Sequence, residues 1–136
     1  MTLSVLANID VDDLAQASDF YCKALGLRIG RRFGNSAVEL LGASTAIYLL
    51  EKGSGTLPSP NSPGRRNYSR HWTPVHLDFV VPDLPSALTQ ARYAGARLEG
   101  EVHTYSWGRI AVMADPFGHG FCLIEFLGRG YDEIAS

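Results

Sequence analysis

The sequence predicts an α+β fold made of two βαβββ modules in tandem, and three observations carry that reading. Short runs of alternating apolar residues, bounded by Gly, Asn, Asp and Ser, outnumber helical patterns. Each half holds one amphipathic helix that begins at an aspartate and ends at a glycine. The words around these elements recur: VDDLAQA at residues 11–17 returns as VPDLPSA at 81–87, and YLLEK at 48–52 as CLIEF at 122–126, 70 and 74 residues on.

The first strand is expected over residues 3–11, with Leu3, Val5, Ala7, Ile9 and Val11 on one face. Asp12 or Asp13 then caps a helix whose apolar stripe is Leu14, Ala17, Tyr21 and Leu25, closed by Gly26. Strands over 27–33, 37–41 and 45–51 follow, separated by Gly34-Asn35 and Gly42-Ala43-Ser44. Residues 53–74 hold four prolines and no apolar period, so they read as a linker or long loop. The pattern then restarts with a strand over 75–81 and a helix capped by Asp83. That helix carries Leu84, Ala87, Leu88, Ala91 and Ala94, and Gly95 ends it. Strands over 96–103, 109–114 and 121–127 complete it. The division is therefore one domain, 1–136, with modules at 1–52 and 75–127, a linker at 53–74 and a tail at 128–136.

The stretch DPFGHGFCLIEF, residues 115–126, joins a turn to a strand. Proline fixes φ, Gly118 and Gly120 accept positive φ, and the strand after them is apolar on both faces except at Glu125. An ionised carboxylate on such a strand needs water, a cation or a hydrogen-bond donor.

Composition narrows the function. A net charge of -2 with no basic stripe gives no reason to expect nucleic acid. No apolar run approaches the ~20 residues of a membrane span. Cys22 and Cys122 lie far apart and outside any C-x-x-C spacing, so buried free thiols in a reducing compartment, by default the cytoplasm, are expected.

Three segments, VDDLAQASDFYCKALGL at 11–27, VHLDFVVPDL at 75–84 and WGRIAVMADPFGHGFCLIEF at 107–126, together resemble the vicinal oxygen chelate superfamily of glyoxalase I, bleomycin-resistance proteins and extradiol dioxygenases. The resemblance implies that the paired βαβββ modules form a curved mixed sheet around a cleft, commonly in a homodimer. In metal-using members, ligands look into that cleft from the first and last strands of each module. Matched position by position, His76, Glu125 and Glu51 become metal ligands, and the fourth place falls on Leu6, which coordinates nothing. Here the chain departs from both glyoxalase I and the dioxygenases.

One imidazole and two carboxylates suit a divalent ion such as Zn, Ni, Mn, Fe or Mg, with Glu125 or Glu51 doubling as a catalytic base. Asp78, on the strand face of His76, is expected either to orient that imidazole from behind or to take the metal's place beside it. Tyr48, Tyr105, Trp107, Arg109, Met113 and Phe121 are the candidate substrate-binding residues. The resemblance thus implies a protein acting on a small organic molecule, and two readings stand side by side. One is a divalent-metal-dependent lyase, isomerase or oxygenase. The other is a metal-free protein that binds and sequesters an antibiotic or metabolite, as bleomycin-resistance proteins do.

Overall fold

The computed structural model describes residues 1–136, and the chain divides into two compact units, Met1–Ser69 and Arg70–Ser136. The first unit is βαβββ: β1 Ala7–Val11, α1 Leu14–Leu25, β2 Arg28–Phe33, β3 Ala37–Leu41 and β4 Ile47–Glu51. Its sheet runs β1-β4-β3-β2, with β1 parallel to β4 and the other pairs antiparallel. Asp13 caps α1 by accepting from the Gln16 amide at 3.0 Å, and Gly26 closes it in the left-handed region at φ 67°. Ala17, Phe20, Tyr21 and Ala24 of α1 are buried, as are Val38, Leu40, Ile47 and Leu49 of the strands beneath. That is the core of this half.

The expected first strand is shorter than its apolar alternation suggested. Residues 3–6 precede β1, and Leu3, Val5 and Leu6 are exposed, because the partner strand β4 begins at Ile47, opposite Ala7. A strand ends where its hydrogen-bonding partner does.

The second unit holds β5 Asp78–Val80, α2 Leu84–Ala94, β6 Arg97–Leu98, β7 His103–Tyr105, β8 Gly108–Ala114, β9 Gly120–Phe126 and a 3-10 turn at Gly130–Glu133. Its sheet runs β5-β9-β8-β6, and β7 also pairs with β8. The single strand expected over 96–103 is thus two, both antiparallel to β8. Gly100, at φ 84°, breaks it by turning the chain out of the ladder. The turn before β9 is closed by Asp115, whose buried Oδ1 accepts from the Phe117 and His119 amides, both at 2.8 Å.

The proline-rich stretch is fastened at both ends. In the first unit Gly55 and Arg66 exchange backbone hydrogen bonds with Arg66 and Thr56, Arg66 Nε lies 2.8 Å from Asp10 Oδ2, and the Tyr68 hydroxyl donates to the Lys52 carbonyl. In the second, Arg70 forks onto Glu99 at 2.7 Å through both Nε and Nη2.

Candidate functional site

In the second unit the parallel β5–β9 ladder sets Asp78 opposite Cys122. His76 lies two residues before β5 and returns its imidazole toward that pair, with Nε2 3.2 Å from Asp78 Oδ1. One donor atom from each of His76, Asp78 and Cys122 lies within 4.8 Å of the others. The Trp72 ring stands 5.1 Å from the His76 ring. Cys122 is buried while His76 and Asp78 reach solvent, so the cluster opens on one side and is floored by sulfur. Burial pushes the Cys122 thiol up to about 11, helped by the negative charge of Asp78 and by the hydrogen bond to it.

An imidazole nitrogen, a carboxylate oxygen and a thiol sulfur form a donor set that fits zinc, cobalt or ferrous ion, and the sulfur disfavours magnesium. Binding requires the thiol to release its proton, and its raised pKa makes that step harder near neutral pH.

Glu125 is not part of this cluster. It stands three residues beyond Cys122 on β9, and a strand sends odd and even positions to opposite faces. Its Oε1 instead accepts from the Leu84 amide at the start of α2, at 2.6 Å, and its Oε2 lies 3.8 Å from Arg109 Nη2. Glu51 does the same in the first unit, where Oε1 accepts from the Leu14 amide at 3.1 Å. Each carboxylate therefore sits on the helix-bearing face of its own sheet, at the positive end of a helix.

The expected substrate-binding residues are dispersed. Met113 and Phe121 are core residues, and Phe121 packs edge-on to Phe79. Tyr105 and Trp107 lie nearly parallel, with centroids 5.7 Å apart and an interplanar angle of 7°. Trp107 also meets Tyr131, which in turn packs on Phe126, so these aromatic rings are partly one another's neighbours. Tyr48 belongs to the first unit, where its hydroxyl donates to Glu39 Oε2 at 3.0 Å and accepts from Arg31 Nη2 at 3.2 Å.

Two features escape a reading of the chain alone. Cys122 was expected only as a buried thiol, and the signal for more was its parity with Asp78 across a parallel pair. Glu39, inside the apolar run AVELL, was the visible sign of a second polar cluster.

The sequence profile of the glyoxalase-like domain matches residues 7–124. The chain belongs to that family. Within it, this glyoxalase-like domain is 32% identical over 123 residues to uncharacterised proteins of Mycobacterium bovis and of Mycobacterium tuberculosis strain H37Rv. The match takes in 83% of this chain and 76% and 68% of theirs.

Among solved structures, the fold is shared with a genomically encoded fosfomycin resistance protein of Listeria monocytogenes, complexed with Mn(II) and 1S,2S-dihydroxypropylphosphonic acid. Its TM-score is 0.71 at 18% identity, over 98% of each chain. A lactoylglutathione lyase of Agrobacterium tumefaciens gives 0.64 at 18% identity, over 92% of this chain and 94% of that one. A glyoxalase/bleomycin resistance protein/dioxygenase family enzyme of Burkholderia phytofirmans gives 0.66 at 20%, over 90% and 97%. The glyoxalase-like domain thus shares its fold with these three structures.

Proposed function

We propose that the glyoxalase-like domain acts on a small oxygen-bearing organic molecule at His76, Asp78 and Cys122, with a divalent ion held by those three residues, in a lyase, isomerase or oxygenase reaction. The observation that carries this reading is the convergence of three different donor types within 4.8 Å. The Mn(II)-bound relative of the same fold supports a metal as an ordinary part of such a domain. When bound, the ion supplies Lewis acidity toward adjacent substrate oxygens. His76 would hold the ion through an imidazole nitrogen and Asp78 through a carboxylate oxygen, and the two side chains already converge, with His76 Nε2 3.2 Å from Asp78 Oδ1. Asp78 also stands beside the Cys122 thiol, where its carboxylate can take the proton the sulfur gives up. The buried floor keeps water from the sulfur side.

The test is elemental analysis of protein purified without an affinity tag, before and after incubation with zinc, cobalt, manganese and iron. Near one ion per chain, lost in both His76→Ala and Cys122→Ser, is the expected result. No ion retained after loading would sink the reading.

A second reading, metal-free binding of an antibiotic or metabolite, is favoured by Leu6 at a usual ligand place and by the engagement of Glu51 and Glu125 at helix starts. It predicts no ion under any of those conditions. No helix is long and apolar enough to cross a membrane, and we place the chain in the cytoplasm as part of the same proposal. We further propose a homodimer, because Leu3, Val5, Leu6, Val75 and Val80 expose apolar side chains. A single monomeric species in sedimentation at micromolar concentration would remove the dimer.

A further inference from the structure

The first unit carries a second polar cluster, on the face of its sheet turned away from α1. Val38 and Leu40 of β3 and Ile47 and Leu49 of β4 are buried on the helix side, which leaves Glu39 and its cross-strand neighbour Tyr48 on the other. The Glu39 carboxylate is itself buried and accepts from four directions. Arg31 reaches it with its backbone N–H at 3.1 Å, with Nε at 3.1 and 3.2 Å and with Nη2 at 2.6 Å, and the Tyr48 hydroxyl adds a bond at 3.0 Å. The guanidinium stacks above Phe33, its Cζ 5.5 Å from the ring centre, and Phe33 lies 6.2 Å from the Tyr48 ring.

The local backbone is arranged around this pair. The β2–β3 register slips between Ile29 and Arg32, which places Arg31 where its own N–H and side chain serve the same carboxylate. Gly30 is needed beside it, because a Cβ there would come within 2.6 Å of Glu39 Oε1.

Stability alone does not require these devices, since an apolar residue of similar volume often replaces a buried carboxylate and its partner at no loss. What the arrangement does produce is an immobilised cation at the surface. The Arg31 side chain is 67% exposed while the Glu39 side chain is 9% exposed, so the pair presents its positive end outward. Nε and Nη2 are taken by Glu39 and Tyr48, whereas both Nη1 hydrogens bond to nothing in the chain. Phe33, 42% exposed, supplies an apolar ring next to them. A fixed N–H pair beside an aromatic face matches a small anion carried on an apolar body.

We infer that Arg31, held by Glu39 and Tyr48 and floored by Phe33, is an anchoring site for the carboxylate or phosphonate group of a small apolar organic acid. This site goes beyond the metal reading and does not draw on it, since every residue belongs to the first unit and the test is run in chelator.

The experiment is a titration of isotope-labelled full-length protein, in EDTA, with benzoate and with phenylphosphonate, followed by NMR, using benzamide as the neutral control. Saturable shifts at Arg31, Phe33 and Tyr48 with the two acids, and none with benzamide, are expected. Arg31→Lys keeps the charge but loses the guanidinium that Glu39 and Tyr48 hold in place with its Nη1 hydrogens outward, and it should weaken binding about tenfold or more. Phe33→Leu, which leaves the ion pair intact, should weaken the phenyl acids by a few fold. Absence of saturable shifts with both acids overturns the inference, as does equal affinity for benzamide or undiminished binding in a folded Arg31→Lys protein.

Discussion

Glu125 Oε1 lies 2.6 Å from the backbone nitrogen of Leu84, so a strand carboxylate satisfies the first amide of α2 where the N-cap residue Asp83 makes no capping bond of its own. Glu51 is the counterpart for Leu14 at 3.1 Å, but there Asp13 already caps α1. The two acids therefore differ in weight. Glu125→Ala should cost about 1–2 kcal/mol, and Glu51→Ala about 0.5 kcal/mol, in the range measured for lost helix caps. Urea unfolding of the two variants beside wild type checks this. Equal losses would show that the side-chain cap at Asp13 contributes nothing. Neither variant should change metal content after loading.

Gly30 offers a sharper structural test. An added methyl would approach Glu39 Oε1 to 2.6 Å and Leu41 Cδ1 to 2.9 Å. The carboxylate is held by Arg31 and Tyr48, so it can yield only by giving up hydrogen bonds. Gly30→Ala should lose about 1–3 kcal/mol by overpacking. It should also shift the Arg31 amide resonance, since that N–H bonds the displaced oxygen. Wild-type stability in the variant would mean that Glu39 moves freely.

Much of the fold was legible because local chemistry and global pairing agree. Gly26 and Gly95 both close helices at positive φ, and the Asp115 turn folds on its own side chain. What was not legible depends on register. Matching YLLEK to CLIEF aligned Glu51 with Glu125 correctly as equivalents, yet a word match carries no information about which face a residue takes. The β5–β9 ladder decides that Cys122, not Glu125, stands beside Asp78. The Arg31–Glu39 pair likewise depends on a bulge in β2, which no periodicity reveals.

Acid should expose the Glu39 network. Hydrogen bonds from Arg31 hold this carboxyl down to about 2, against an ordinary value of 4.5. Between those values the unfolded chain binds a proton that the folded chain refuses, so stability rises with pH in that window. On acidification the contribution is complete above about 4.5 and is lost as pH falls toward 2. Glu39→Gln should therefore show a flatter loss of stability across this range than wild type in denaturant titrations. Parallel acid slopes for the two proteins would count against an ionised Glu39 in the native state.

Base should act on Cys122 with the opposite sign. Burial first, and then the charge and hydrogen bond of Asp78, raise the thiol from 9.0 to about 11. Between these values the unfolded thiol has lost its proton and the folded one has kept it, so the native state binds more protons and stability falls as pH rises. The contribution is whole below about 9 and is lost through about 11. Cys122→Ala should remove that part of the alkaline slope. Alkylation by iodoacetamide should be slow at neutral pH and quicken as the thiolate forms. Asp78→Asn removes the neighbouring charge but leaves the burial, so the midpoint of the thiolate absorbance should move part of the way back toward the ordinary value. An unchanged midpoint would separate Asp78 from Cys122 and leave burial as the sole cause, while a return all the way would mean that the sulfur is open to water.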